Sequence, residues 1–230
     1  MGIKINLEEI EKKIGKICKE KGIERNAIQL IAVTKTIDAE RIKEAIEAGI
    51  SVLGENKVQE ILGKYDKVEE KVKWHMIGHL QRNKVKYIID KVDMVHSLDS
   101  MELAREIDKR AARSGKTMDC LIQINIGQEA SKSGIDYDDA ESFLNEAASL
   151  DNVRICGFMA IAPYIEDKEK VRPYFKKMHE LFIRMKMKGH ENQMLYLSMG
   201  MTHDFETAIE EGANMVRIGT GIFGERNYSK

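Results

Sequence analysis

Hydrophobic residues occur along this chain in two alternating patterns, short continuous runs and longer runs with helical spacing. Within residues 6–21, Ile10, Ile14 and Ile17 recur at intervals of three or four positions, which predicts an opening amphipathic helix. Residues 28–35 are then mostly apolar and β-branched, which predicts a strand buried on both faces. Strands of this kind are typical of a parallel sheet covered by helices.

The same alternation continues to the end of the chain. Asp38 is a candidate N-cap for the second helix, which Gly49 ends, and Asp99-x-x-Glu102 is a capping-box variant that opens a later helix. We predict further strands over 51–55, 72–78, 94–98, 120–126, 153–161, 196–198 and 215–218. Between them we predict helices over 38–49, 58–69, 83–89, 138–150, 168–188 and 204–212.

About eight strand-then-helix units in 230 residues predict an α/β fold, a single (β/α)8 TIM-like barrel with an additional N-terminal helix. A doubly wound open sheet is the alternative. The barrel is favoured because regular units leave no place for a reversal of strand order. Only two prolines occur, Pro163 and Pro173, and no linker composition interrupts the chain, so we expect one domain over residues 1–230.

Charge and composition narrow the class of protein. The formal net charge of −1 offers no general attraction to nucleic acid or to an anionic membrane. No apolar run approaches the ~20 residues of a membrane span, and no signal-peptide core precedes the first helix. The separated Cys18, Cys120 and Cys156 argue against disulfides and zinc, so we expect a cytoplasmic protein. His75 and His79 lie in a predicted strand, where a spacing of four does not converge on a metal.

Lys35 ends the first predicted strand, and in a barrel of this type the active site lies where strands end. A charge at the mouth of an apolar strand must be paired, solvated or suppressed. A suppressed amine is the nucleophile that a Schiff base with a carbonyl requires. The alternative is a lysine that simply emerges into solvent at the strand end.

Two loops near the C-terminus are candidates for phosphate binding. Ser198-Met199-Gly200-Met201-Thr202 follows the seventh predicted strand, and Arg217-Ile218-Gly219-Thr220-Gly221 follows the eighth. Loops after strands seven and eight form the recurrent phosphate site of these barrels. Hydroxyl groups and glycine-exposed backbone N–H groups are the donors that a phosphate needs. The alternative is a pair of ordinary turns with helix caps.

Lys35 together with these loops resembles the fold-type III barrels that bind pyridoxal 5′-phosphate (PLP). The motifs resemble more closely the pyridoxal phosphate homeostasis protein family (YggS/PROSC type), related to the N-terminal domain of alanine racemase. They are Ala32-Val33-Thr34-Lys35, Gly54-Glu55-Asn56, His75-x-Ile77-Gly78-His79-Leu80-Gln81-x-Asn83-Lys84, His96-Ser97-Leu98-Asp99, Gly157-Phe158-Met159, Leu197-Ser198-Met199-Gly200-Met201-x-x-Asp204 and Val216-Arg217-Ile218-Gly219-Thr220-x-Ile222-Phe223-Gly224. Residues 128–134 also resemble the Lys-x-Gly segment of the family.

The resemblance implies a role for each residue at the predicted mouth. Lys35 forms the internal aldimine with PLP. The phosphate is held by Ser198, Gly219 and Thr220, and Gly200, in the loop that follows Ser198, also binds the cofactor. Arg217 approaches the pyridine nitrogen. Asn56, Ser97 and Met159 line the surroundings of the ring.

The resemblance also implies what the protein does with PLP. An arginine cannot accept a proton, so the pyridine nitrogen facing Arg217 stays unprotonated and PLP is a poor electron sink. Racemases of this fold take a second acid/base from a further C-terminal domain, and we expect none here because the chain ends at Lys230. We therefore expect a non-enzymatic carrier of PLP in vitamin B6 and amino-acid homeostasis.

Two enzymatic alternatives stay open. One is a PLP-dependent amino-acid racemase that uses another base, and the other is a Schiff-base aldolase whose loops grip a sugar phosphate. The expected partners of the carrier are PLP and PLP-dependent apoenzymes, with no nucleic acid, membrane or metal. We expect a monomer, with a dimer as the alternative.

Overall fold

The computed structural model describes residues 2–68, 71–128 and 133–225. Its eight parallel strands form a closed barrel in which each strand pairs with the next along the chain and the last pairs with the first. This order confirms the predicted (β/α)8 barrel over the doubly wound alternative. The strands are β1 (Gln29–Val33), β2 (Val52–Glu55), β3 (Lys73–Met76), β4 (Met94–Leu98), β5 (Met118–Ile124), β6 (Val153–Ala160), β7 (Tyr196–Ser198) and β8 (Met215–Ile218).

Helices surround the barrel and connect its strands. The predicted N-terminal helix is present as α1, and it packs against α2, α7 and α8. Asn6 of α1 donates a hydrogen bond of 2.8 Å from Nδ2 to the carbonyl oxygen of Ile222. The helices are α1 (Ile3–Lys21), α2 (Ala39–Glu47), α3 (Val58–Lys64), α4 (Met101–Arg113), α5 (Ala140–Ala147), α6 (Lys168–Met187), α7 (Phe205–Glu210) and α8 (Thr220–Phe223).

Several helices differ from their predicted extents. The predicted helix over 83–89 is a 3-10 helix (Arg82–Tyr87), and α3 ends at Lys64 before a further 3-10 turn. The predicted end of α3 at residue 69 lies outside the described residues. The short α8 was not predicted.

The predicted capping role of Asp99 is wrong, because Ser100 is the N-cap of α4. Ser100 Oγ accepts a hydrogen bond of 3.4 Å from the Leu103 amide. Asp99 turns instead towards His79, with 3.3 Å between Asp99 Oδ2 and His79 Nδ1. The predicted N-cap of α2 is confirmed, since the Asp38 side chain accepts a hydrogen bond from the Arg41 amide.

Two hydrophobic layers stabilise the barrel. The larger lies between the strands and the helices, where residues such as Ile14, Ile42 and Phe175 are almost completely buried. The smaller layer fills the barrel interior and contains Ile31, Val52, Met94, Leu121, Cys156, Met159 and Met215. The interior is therefore a packed core, and functional groups can be reached from its ends.

The described part of the chain has neither a membrane-spanning helix nor a metal-binding group of side chains. None of its helices is long and apolar enough to cross a membrane. No three His, Cys, Asp or Glu side chains within it are grouped so that they could hold a metal ion. Cys18, Cys120 and Cys156 are buried as free thiols, and burial raises the pKa of each.

Candidate functional site

Lys35 lies in a turn at the carboxyl end of β1. The strand itself ends at Val33, so Lys35 comes two residues later than a terminal strand position. The turn is closed by a 3.0 Å hydrogen bond from the Ile37 amide to the Thr34 carbonyl oxygen, and Thr36 has a φ of +64°. Lys35 is half-buried at this end of the barrel. The prediction that a lysine stands at the mouth is therefore consistent with the fold.

The loops after β7 and β8 contact each other at the same end. Thr202 Oγ1 is the shared group: it lies 3.2 Å from Thr220 Oγ1 and accepts a hydrogen bond of 3.2 Å from the Gly221 amide. A Cβ at Gly219 would stand 3.4 Å from the Val33 carbonyl oxygen. The β8 loop thus packs directly against the end of β1, two residues before Lys35.

Gly200 gives the β7 loop its shape. Its φ is +91°, and a Cβ there would lie 2.5 Å from the Ala208 Cβ atom. The Met201 amide then donates a hydrogen bond of 2.6 Å to Asp204 Oδ1. Only glycine satisfies both the left-handed backbone and this close approach.

Ser198 lies deeper than the two loops and is completely buried. Its Oγ accepts a hydrogen bond of 2.5 Å from Arg217 Nη1 and lies 3.1 Å from His96 Nδ1. The other ring nitrogen of His96 is 3.0 Å from His75 Nδ1. Arg217 also donates from Nη2 to the Ala160 carbonyl oxygen at 2.9 Å. A polar chain therefore crosses the barrel interior beneath the mouth.

Arg217 carries the positive charge in this row of hydrogen-bonded side chains. Burial lowers the pKa of Arg217 to about 10, which keeps the guanidinium charged at neutral pH. Burial also lowers the pKa of His75 to about 3 and that of His96 well below its usual range, so both rings are neutral. The hydrogen-bond partners of Arg217 are neutral, and the Asp204 carboxylate only partly offsets its charge, which favours an electron-rich ligand atom or an anion above it.

Two of the predicted ring-lining residues present buried polar atoms that lack a partner among the described residues. They are Asn56 Oδ1 and Ser97 Oγ. Leaving such atoms without a hydrogen bond is costly, so they fit a site that a polar ligand completes. Met159 is also completely buried, but it packs within the inner hydrophobic layer of the barrel.

A cavity of about 230 Å³ opens beside Asn56 at the mouth. A Cβ at Gly78 would lie 2.4 Å from the Asn56 carbonyl oxygen, so this wall is built by close backbone packing. A larger cavity, of about 410 Å³, lies at the opposite end of the barrel. We assign function to the mouth, because catalytic and binding groups of such barrels lie at the carboxyl ends of the strands. The mouth cavity is lined by Asn56, Ile77, Gly78, His79, Gln123, Ile124, Asn125, Ser133 and Ile161.

A cluster of charged residues behind Lys35 was not predicted from the sequence. Lys64 Nζ donates hydrogen bonds to Glu55 Oε1 at 2.7 Å and to Glu60 Oε2 at 2.8 Å. Burial raises the pKa of Glu55 despite hydrogen bonds from Lys64 and Thr34. Burial opposes the charge on Glu60 as well, but hydrogen bonds from Lys64 and the Thr36 amide outweigh it and lower the pKa of Glu60.

The sequence held a partial signal for these missed groups. His75 and His96 stand out as polar residues inside apolar strands, and Glu60 and Lys64 have the i, i+4 spacing of a helical ion pair. The first pattern does not say which side chains the histidines contact, and the second does not say that the Glu60–Lys64 pair lies against the Lys35 turn. Part of the predicted Lys-x-Gly segment, residues 129–132, lies outside the described residues.

The fold and the match to a family model define a class of protein, the barrels related to the N-terminal domain of alanine racemase. The family model of the alanine racemase N-terminal domain matches residues 5–227. A curated relative from Aquifex aeolicus named pyridoxal phosphate homeostasis protein is 45% identical over 224 residues, which cover 96% of this chain and 97% of that protein. The chain belongs to the pyridoxal phosphate homeostasis protein family, which confirms the resemblance in the motifs.

Solved structures agree with this assignment. A Bifidobacterium adolescentis protein superposes with a TM-score of 0.90 at 32% identity, over 96% of this chain and 94% of that one. PipY of Synechococcus elongatus PCC7942, solved with PLP bound, superposes with a TM-score of 0.80 at 30% identity, over 92% of this chain and all of PipY.

Proposed function

We propose that this protein binds PLP at the barrel mouth through Lys35 and serves to hold and deliver it. The observation that carries the proposal is the packing of the β8 loop against the end of β1, two residues before Lys35, with the β7 loop in contact with the β8 loop. The relatives named for pyridoxal phosphate homeostasis and the PLP-bound PipY structure support it. When bound, PLP supplies an aldehyde that condenses reversibly with a lysine amine, releasing water.

The chain's own residues have distinct tasks in this proposal. Thr220 and the backbone N–H groups around Gly200 and Gly219 hold the phosphate, because hydroxyl and amide donors suit its charge. Ser198, predicted to hold the phosphate as well, also accepts a hydrogen bond from Arg217, which orients its hydroxyl group at the base of the site. Unpartnered polar atoms of Asn56 and Ser97, with Met159 below, surround the ring.

Arg217 would face the pyridine nitrogen in this arrangement. The hydrogen bonds to Ser198 and the Ala160 carbonyl oxygen orient its guanidinium. Since a guanidinium donates hydrogen bonds but accepts none, the ring nitrogen gains no proton there. PLP would then be held with little activation for reactions at an amino acid, as a carrier requires.

A PLP-dependent racemase-like enzyme is the second candidate, favoured by the match to the alanine racemase N-terminal domain. Racemisation needs an acid and a base on opposite faces of the substrate. Lys35 can serve one face. At the mouth, His79 Nδ1 lies 3.3 Å from Asp99 Oδ2, and His79 is the candidate acid or base for the other face.

The carrier has further proposed properties. We infer that it releases PLP to PLP-dependent apoenzymes in the cytoplasm and acts as a monomer, with a dimer as the alternative. Mixing the loaded protein with an apoenzyme and following the apoenzyme's activity tests delivery directly. Activation no faster than with the same concentration of free PLP would contradict it.

The site itself is tested by reduction. Wild-type protein and Lys35→Ala are incubated with PLP, recorded in the visible range, reduced with borohydride and mapped by mass spectrometry. We expect one pyridoxyl phosphate on Lys35 and loss of the visible band in Lys35→Ala. An adduct mainly on another lysine overturns the site, and no visible band in the wild type favours the aldolase alternative.

A further inference from the structure

The turn that carries Lys35 has a strained backbone. Thr36 is β-branched, and its φ of +64° lies in the left-handed region that such residues avoid. Strain of this kind persists only where the surroundings hold the backbone in place, and it clusters at functional sites. The structure shows what holds this turn on both sides of Lys35.

One ammonium group connects both sides of the turn. Lys64 Nζ donates 2.8 Å to the Thr34 carbonyl oxygen, in the peptide unit that precedes Lys35. It also donates 2.8 Å to Glu60 Oε2, and this oxygen accepts a hydrogen bond of 2.6 Å from the amide of Thr36. Glu55 Oε1 accepts from Lys64 and from Thr34 Oγ1, each at 2.7 Å.

This cluster is shielded from water. The side chain of Lys64 is 12% exposed, that of Glu60 is 21% exposed and that of Glu55 is fully buried. Ion pairs in such surroundings are screened far less than surface pairs and have defined geometry. The cluster therefore restrains the turn, unlike a flexible surface ion pair.

We propose that Lys64 is a positioning residue for Lys35, acting with Glu60 to hold the two peptide units that flank the reactive lysine. This inference rests on the proposed function of Lys35. Lys64 does not itself contact the ligand: it keeps the strained turn in the one conformation that directs Lys35. A misplacement of about 1 Å in a reacting group can cost about a hundredfold in rate.

A double-mutant cycle with Lys35→Ala separates positioning from general structural support. In the Lys35-containing protein, Lys64→Met should slow formation of the visible band and weaken PLP binding, each by at least about tenfold. In the Lys35→Ala background, the same substitution should change PLP affinity by less than about twofold, because Lys64 acts only through Lys35. Equal losses of PLP affinity in both backgrounds, or an unchanged rate in Lys64→Met, overturn the proposal.

Matched variants control the test. Lys188→Met makes the same chemical change in the ion pair with Glu141, where α6 ends, and should leave the rate unchanged. Lys64→Arg keeps the charge and several donors and should restore part of the rate. If Lys64→Met does not fold, Glu60→Gln carries the same cycle, with a loss of about threefold that again needs Lys35.

A readout without PLP distinguishes failure of this inference from failure of the proposed function. Reductive methylation, followed lysine by lysine with mass spectrometry, reports how accessible Lys35 is. Releasing the turn in Lys64→Met should raise methylation at Lys35 by about threefold or more and leave the remaining lysines unchanged. An unaltered Lys35 rate overturns the inference even if PLP binds elsewhere.

Discussion

At the scale of single residues, His75 and His96 are held neutral in the barrel interior. Burial lowers the pKa of His75 to about 3 and that of His96 well below its usual range. In the unfolded chain a histidine has a pKa of about 6.5, so the unfolded state takes up protons first as the pH falls. The stability due to the neutral rings is complete above about pH 6.5 and is lost progressively as the pH falls towards 3.

We therefore expect the free energy of unfolding to fall between about pH 7 and about pH 5, with His75 accounting for about 2 kcal/mol of the loss. Urea unfolding of the wild type and His75→Asn at both pH values measures this. The variant should be less stable at neutral pH but should lose less on acidification. Identical pH dependences for wild type and His75→Asn would contradict the assignment.

At the scale of elements, a bulge in β6 shapes the interior. Cys120 pairs with Ile155 and Leu121 with Gly157, so Cys156 has no counterpart on β5. Cys156 and Met159 consequently both join the inner layer although three positions separate them, where a regular strand places every second residue. Gly157 makes the bulge possible, with a φ of +142°.

Gly157→Ala should be strongly destabilising, because its Cβ would fall 1.8 Å from the Tyr196 carbonyl oxygen between β6 and β7. We expect a loss of about 3 kcal/mol or more in the free energy of unfolding. Denaturant unfolding monitored by circular dichroism checks this. Gly63→Ala in α3 is the matched control: no atom lies within 4 Å of its Cβ, and we expect about 0.5–1 kcal/mol of stabilisation. A variant Gly157→Ala as stable as the wild type would refute this account of the bulge.

At the scale of the whole molecule, closure of the barrel joins its first and last strands. β1 pairs with β8, with Leu30 opposite Val216 and Ala32 opposite Ile218. Lys35 and the β8 loop, near opposite ends of the chain, therefore meet at one mouth. The same closure puts Arg217 beneath that mouth as a buried cation that cannot accept a proton.

From this arrangement we expect negligible turnover on free amino acids. Lys35 can act on one face of a substrate, and unless His79 serves the other face, the rate falls typically by about 100- to 10,000-fold. Incubation of the PLP-loaded protein with L-alanine in deuterated water, followed by NMR and chiral analysis, measures α-proton exchange and racemisation. Rapid exchange that Lys35→Ala abolishes would favour the racemase-like alternative. Loss of that exchange in His79→Asn would then name the second base.

Much of the fold could be read from the sequence because its signals are local. The limits of β4, β7 and β8 were predicted without error, since apolar runs and turn residues mark both ends. The eight-unit repeat and the distinctive motifs were sufficient for the barrel and for the family. The predicted Lys35, Gly219 and Thr220 lie at strand ends, where the repeat alone places them.

Other features depend on contacts between distant segments. The 3-10 helix at Arg82–Tyr87 replaces a predicted α-helix, and Ser100 replaces Asp99 as the N-cap because Asp99 turns towards His79. An alternation of inward and outward residues along a strand does not predict the bulge at Cys156. For Asp99, the contact with His79 replaces the local role of a helix cap.

The sequence by itself determined the barrel, its order of elements, the family and the residues at the strand ends, because periodicity, turn chemistry and motifs are written along the chain. Only the tertiary structure decided that Ser198 is engaged by Arg217 and His96, and that Lys64 joins Thr34 to Glu60 around Lys35. These pairings depend on strand register and barrel closure. The physical reason is that a buried polar group is satisfied by whichever partner the fold brings within about 3 Å, and spacing along the chain does not encode that distance.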